Sequence, residues 1–455
     1  MQKLIVLVAL ATMLTFVSSS TAAQSSVMGH WEGVMVREGS ELTLSFDFSD
    51  GATGMSGIFN SPTLKALRIP LRNVTYNAQN VHFLLVGDFT TIIFDGQLSG
   101  NTISGQFREG ANRGGQFREG DARGGVFHEG DAKGTFSLRR AEARQAIFTE
   151  EEVGFRNGDV TLSGTLLLPL ARGPHPAIVF LHGSGDEGRE ASRFLAEYFT
   201  SSGFATLISD KRGVGKSTGD WHRSDFSDLA EDTIAGIRFL QRRKEIDAKK
   251  IGIYGHSQGG MIAPLVASRT KDVSFVISGA GHALPLYEGE VNSITNQVRA
   301  RGISGNDLVE ATDFIKMRVN VARTGQGWEQ FDAAMEKARD KNWFRAMRIP
   351  PKDDWSWAFF KGIFDSNAAG YWEKVTVPVL VVYGEKDLYT PVSQSISNID
   401  QALKKAGNRD YAIIVFPRAT HTFDIEGEAG QPFEWRRMAP GFPDLLIAWL
   451  NEHVK

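Results

Sequence analysis

The sequence predicts an α/β fold with a mostly parallel sheet and a helical cap, preceded by a small antiparallel all-β domain. Three observations carry this expectation. Residues 27–140 alternate apolar and polar side chains between glycine-bearing turns. Residues 150–455 alternate short β-branched runs with helical segments. A stretch of helical periodicity, 283–373, interrupts that alternation and is too long for a structureless loop.

The first residues lie outside either pattern. Lys3, an apolar run from Leu4 to Val17, and the small residues Thr21-Ala22-Ala23 have the form of a secretory signal peptide over 1–23, with cleavage expected after Ala22 or Ala23. The run is shorter than the ~20 residues needed to span a bilayer. The expectation is therefore an exported protein, periplasmic or secreted, with no stable membrane insertion once the leader is removed. The chain has no cysteine, which excludes disulfides and thiolate metal sites. A formal net charge of -3 on 455 residues argues against nucleic acid as a partner.

Within the first domain, "ELTLSFDFSDG" places Leu42, Leu44, Phe46 and Phe48 on one face and Thr43, Ser45 and Asp47 on the other, as a half-buried strand requires. A small barrel or sandwich is expected. A ten-residue repeat spans 105–134, with Phe107, Phe117 and Phe127 in register. Ten residues is short for a solenoid unit, and the repeat reads as a duplicated hairpin segment rather than a binding surface.

In the second domain the expected strands are "DVTLSGTLLLP", "HPAIVFLHGSG", "FATLISD", "IGIYGHS", "VSFVISGAG", "VPVLVVYGEKD" and "YAIIVFPRATH". Met261, Ile262, Leu265 and Val266 mark the buried face of a helix after the fourth. In the insertion, Leu308, Ala311, Phe314 and Ile315 follow a helical period behind Asn306 as its cap. Trp328, Trp343, Trp355, Trp357 and Trp372 suggest an aromatic cap over the sheet, lining an apolar acyl pocket.

Ligands of open parallel sheets collect beyond the carboxyl ends of the strands, and the unusual polar residues cluster at such ends. Ser257 stands between Gly255 and Gly259 at a strand-to-helix turn, the setting of a G-x-S-x-G nucleophile. A serine hydroxyl needs a base, and His421 follows the last strand. The base needs an orienting carboxylate, for which Asp387 is preferred over Glu385 and Asp424. The backbone N–H of Gln258, after the nucleophile, and that of Ser184, in "HGSG", are the expected oxyanion donors, with Gly183 and Gly185 as alternatives to Ser184. His182 is read as bracing its loop. "SDKRGVGKSTGD" lacks phosphate-loop spacing; Asp210 and Arg212 are read there as structural hydrogen-bonding residues.

The set "HGSG", "DKRGVGKS", "GHSQGG", "GEKD" and "ATH", in this order, resembles the α/β-hydrolase superfamily over roughly residues 150–455. It looks closest to exported bacterial EstD-like carboxylesterases with a β-rich N-terminal domain. The resemblance implies an α/β-hydrolase fold, a catalytic triad of Ser257, Asp387 and His421, an oxyanion hole of Ser184 and Gln258, and no cofactor or metal. The expected activity is hydrolysis of short- to medium-chain carboxylic esters, a small-molecule substrate, through an acyl-enzyme. Two other readings are a serine peptidase or amidase, with Glu288 and Glu290 as acidic groups near the cap, and a non-catalytic binding protein on the same scaffold.

Overall fold

The computed structural model describes residues 26–37, 40–51, 54–61, 64, 66–86, 90–111, 133–142, 147–345, 347, 349–425 and 437–454. The leader expected over 1–23 and most of the ten-residue repeat, 112–132, lie outside the described residues. The chain divides into two compact units.

The N-terminal unit contains β1 (Gly29–Arg37), β2 (Ser40–Gly51), β3 (Gly54–Ser61), β4 (Ala66–Pro70), β5 (Arg72–Asn77), β6 (Asn80–Val86), β7 (Thr90–Ser99), β8 (Thr102–Ala111) and β9 (Lys133–Ala141). Among the described residues these form one sheet in the order β4-β3-β2-β1-β9-β8-β7-β6-β5, and it is not a two-sheet sandwich. Leu42, Leu44, Phe46 and Phe48 are buried, as the alternation of β2 requires. Strands β2 and β6 are far apart in the sheet order. Yet the rings of Phe46 and Phe83 meet at 4.8 Å, and Phe83 stacks on Phe94 of β7 at 4.7 Å. Only a sheet that curls on itself brings those faces together, so the architecture is barrel-like with a phenylalanine core. Residues 105–111 of the first repeat copy are part of β8, and Phe107 is buried in this core.

The second unit contains β10 (Phe148–Asn157), β11 (Val160–Pro169), β12 (His175–Leu181), β13 (Ala205–Ser209), β14 (Ile246–His256), β15 (Val276–Gly279), β16 (Val379–Gly384) and β17 (Tyr411–Phe416). Their order is β10-β11-β13-β12-β14-β15-β16-β17. The first two pairings, β10 with β11 and β11 with β13, are antiparallel; the rest are parallel. The parallel strands β13, β15 and β16 are buried at every residue, as strands covered on both faces must be. Helices α1 (Arg193–Ser201), α2 (Phe226–Gln241) and α3 (Gln258–Arg269) follow β12, β13 and β14. The four residues expected on the buried face of α3 are all buried.

Between β15 and β16 lie α4 (Leu286–Ala300), α5 (Gly305–Thr324), α6 (Trp328–Ala338), α7 (Asn342–Arg345), α8 (Trp355–Ile363) and α9 (Ala368–Trp372); α10 (Val392–Lys405) follows β16, and α11 (Phe442–His453) lies near the C-terminus. Two expectations for this insertion change. Helix α5 is capped by Ser304, whose backbone is extended (φ -148°, ψ 178°), whereas Asn306 already lies in the first turn. The tryptophans are mostly spent on packing the insertion itself. Trp328 meets Trp357 at 4.8 Å, Trp343 meets Phe314 at 5.4 Å, and Trp372 is buried. Short amphipathic helices must bury their apolar faces on one another. Trp355, 46% exposed, is the exception among the five.

Candidate active site

The chain crosses from β12 to β13 on one side and returns to β14 on the other. The carboxyl end of β12 is therefore a switch point, the usual ligand position in such sheets. Leu181, the last residue of β12, pairs with Gly255 of β14. That register sets the loop 182–185 beside Ser257.

Ser257 has φ 54° and ψ -116°, a strained conformation for a residue with a side chain. The surrounding glycines make it possible. A Cβ on Gly255 would stand 2.2 Å from the carbonyl oxygen of Gly259, and one on Gly259 would stand 2.8 Å from those of Leu181 and His182. All are backbone atoms, with no side chain to give way. The Ser257 N–H donates to the Gly279 carbonyl at 2.8 Å, pinning the turn to β15.

The expected residues converge. The Ser257 hydroxyl faces Nε2 of His421 at 2.9 Å, and Nδ1 of His421 faces Oδ2 of Asp387 at 2.8 Å. The Asp387 side chain is fully buried and that of His421 is 15% exposed. Oδ1 of Asp387 accepts the N–H groups of Tyr389 (2.8 Å) and Thr390 (2.9 Å), which orient the carboxylate toward the imidazole. The rival acids are engaged elsewhere: Glu385 accepts the Arg418 N–H at 2.7 Å, and Asp424 accepts the Thr422 hydroxyl at 3.0 Å.

The loop after β12 sorts its own amides. The Gly183 N–H donates to the Glu187 carboxylate at 2.6 Å and is thereby removed as an oxyanion donor. Ser184 is exposed. The Gln258 N–H is the first of α3, among the amides a helix start leaves without an intrahelical carbonyl. His182 meets the Ser209 carbonyl through Nε2 at 2.6 Å, and burial lowers its pKa to about 4, so it braces the loop as a neutral imidazole. Asp210 pairs with buried Arg189 at 2.9 Å, and Arg212 with Asp232 at 2.6 Å, both structural as read.

Two residues escaped the sequence reading. His256, between Gly255 and Ser257, contacts the His421 carbonyl through Nε2 at 2.8 Å. Lys211 is buried behind the loop 183–185 and contacts it directly. Its sequence signal is its place in "DKRGVGKS", two residues past the end of the fully buried strand β13. Among the described residues no group of three or more His, Asp or Glu converges as metal ligands.

The sequence has relatives. A family model described as serine aminopeptidase, S33, matches residues 172–428. Esterase EstD of Thermotoga maritima is 25% identical over 318 residues, covering 65% of this chain and 68% of that protein. Quorum-quenching protein AidA of Acinetobacter baumannii is 32% identical over 128 residues, 28% of this chain and 42% of that protein. A solved structure of the Pyrococcus furiosus esterase PF2001 aligns with a TM-score of 0.44 at 17% identity, covering 68% of this chain and 92% of that one.

Proposed function

The chain belongs to the serine aminopeptidase S33 family of α/β-hydrolases, and from that premise we propose that it is a serine carboxylesterase acting on short- to medium-chain esters. The observation that carries the reading is the continuous Ser257–His421–Asp387 relay, with contacts of 2.9 and 2.8 Å. His421 Nε2 accepts the Ser257 proton as Oγ attacks the ester carbonyl, and the imidazolium then protonates the departing alcohol. Asp387 accepts the Nδ1–H and so holds the tautomer that leaves Nε2 free. The N–H groups of Ser184 and Gln258 stabilise the tetrahedral oxyanion. Water, activated by the same imidazole, releases the acid from the acyl-enzyme. The sequence of residues 1–23, which has the form of a secretory leader, is the support for an exported location.

Peptide hydrolysis by the same triad is the second reading, favoured by the family's description. Its two acidic anchors for a substrate ammonium are poorly suited to that role: Glu288 accepts the Tyr287 hydroxyl at 2.9 Å, and burial raises the Glu290 pKa, with the Arg318 cation opposing it only in part. A comparison of p-nitrophenyl acyl esters with aminoacyl anilides separates the two, with Ser257→Ala as control. Ester turnover that requires Ser257 and falls with acyl length is expected; faster anilide turnover would overturn the esterase reading.

A further inference from the structure

Lys211 is 1% exposed, and its Nζ donates to three acceptors: the Gly183 carbonyl at 2.8 Å, the Gly185 carbonyl at 3.1 Å and Oε1 of Gln258 at 3.1 Å. An ammonium has three protons and no lone pair, so these partners satisfy it completely. They are also the partners that matter for the oxyanion. The Gly183 carbonyl and the Ser184 N–H belong to one peptide unit, and in a planar trans peptide these groups point in opposite directions. A cation gripping the carbonyl from behind therefore aims the N–H outward. The third contact holds the side chain of Gln258, whose own N–H is the other proposed donor.

We propose that Lys211 is the positioning residue of the oxyanion hole, one buried ammonium tying the Ser184 peptide and Gln258 into a single rigid donor pair. The inference rests on the serine-hydrolase reading above. Removing an ammonium from water is expensive, and an apolar side chain would fill the same volume without that penalty. Hydrogen bonding to the cation also polarises the Gly183–Ser184 peptide and makes its N–H a stronger donor.

The groups facing the ammonium are the Glu187 and Asp186 carboxylates, neutral His182 and the Trp221 ring, 4.6 Å from Nζ. Burial outweighs both carboxylates and lowers the Lys211 pKa to about 8. Above that pH the side chain is a neutral amine with two protons and a lone pair. One of three acceptors then loses its proton, and the donor pair loosens. Activity that depends on the pair is present below about pH 8 and declines above it.

The test uses the full chain and a p-nitrophenyl ester from about pH 6 to about pH 10. Wild type should show kcat declining above about pH 8 with KM nearly constant. Lys211→Met should lower kcat on the order of 10²-fold, the size of a lost oxyanion donor, leave KM within about twofold, and abolish the alkaline decline. Lys211→Arg, charged throughout, should also lack that decline. If Lys211→Met does not fold, Gln258→Leu replaces it: two acceptors remain for an amine with two protons, so the decline should flatten. A wild-type kcat flat to about pH 10, with Lys211→Met or its substitute Gln258→Leu matching it, would overturn the positioning role while leaving the triad intact. Ester turnover undiminished in Ser257→Ala would instead overturn the serine-hydrolase reading.

Discussion

His256 and His421 are joined by a contact of 2.8 Å between the Nε2 of the first and the backbone carbonyl of the second, with their rings 5.0 Å apart. One histidine thus holds the main chain of the other. Burial lowers the His256 pKa to about 4, with the charge of His421 acting in the same direction. It therefore acts as a neutral donor and adds no cation beside the base. His256→Ala should lower kcat by about 10-fold, the size of one lost hydrogen bond, and His256→Gln, which keeps a donor, should recover part of that loss. Steady-state ester kinetics on both variants provide the check.

Asp387→Asn should be far more damaging. Oδ1 receives two backbone N–H groups and Oδ2 faces the imidazole. An amide must turn its NH2 toward either the N–H pair or the ring, so a donor meets a donor or the ring takes the wrong tautomer. A fall in kcat of about 10⁴, as for this change in Ser-His-Asp enzymes, is expected with little change in KM. An unchanged kcat would mean that Asp387 does not orient the base.

Gly255→Ala tests the turn. The new methyl would lie 2.2 Å from the Gly259 carbonyl oxygen and 2.4 Å from its carbon. Because both are backbone atoms at the head of α3, relief requires moving the nucleophile. The variant should lose about 3 kcal/mol or more of stability and nearly all ester turnover, measured by denaturant unfolding and kinetics.

Stability should fall on acidification through the buried histidines. Burial lowers the pKa values of His182, His256 and His282 to about 4, from an ordinary value near 6.5. Between those limits the unfolded chain binds more protons than the folded one, so stability rises with pH across that window and is lost as pH falls toward 4. Calorimetry at about pH 5 in buffers of different ionisation enthalpy should record uptake of about one proton per histidine on unfolding. No uptake would contradict their burial as neutral groups.

Asp210→Asn should break the buried pair with Arg189. Burial alone would raise the Asp210 pKa, but hydrogen bonds from Arg189 and from the Lys216 N–H outweigh it and leave the value lowered. The pair's contribution is therefore present above the ordinary carboxylate range and is lost only as pH falls through the lowered value. Removing the charge leaves the buried Arg189 guanidinium with the exposed Glu152 carboxylate, at 2.8 Å, as its acid partner and costs about 1–3 kcal/mol. Urea unfolding at neutral pH would register it as a lower midpoint.

The strands and the triad were legible because each has a local signature. Alternation marks β2, continuous β-branched runs mark β13 to β16, and Ser257, Asp387 and His421 each stand just past a strand end. The insertion was less legible. A tryptophan on an amphipathic helix reads the same whether it lines a cavity or packs on another helix, and Trp343 and Trp372 do the latter. The cap of α5 was misread by two residues because serine and asparagine both suit that position, and backbone conformation decides between them.

Periodicity and strand-end chemistry, properties of neighbouring residues, determined the α/β organisation, the barrel-forming alternation near the N-terminus and the identity of the three converging side chains. Tertiary structure alone decided which donor each amide of the loop after β12 can be. The Gly183 N–H is taken by Glu187, and the Gly183 carbonyl is taken by a lysine 28 residues further along the chain. The physical reason is that a charge written between two other charged residues, Asp210-Lys211-Arg212, looks solvated in one dimension. Only the register that sets β13 beside β12 carries its ammonium to the carbonyls of the loop after β12 and out of water.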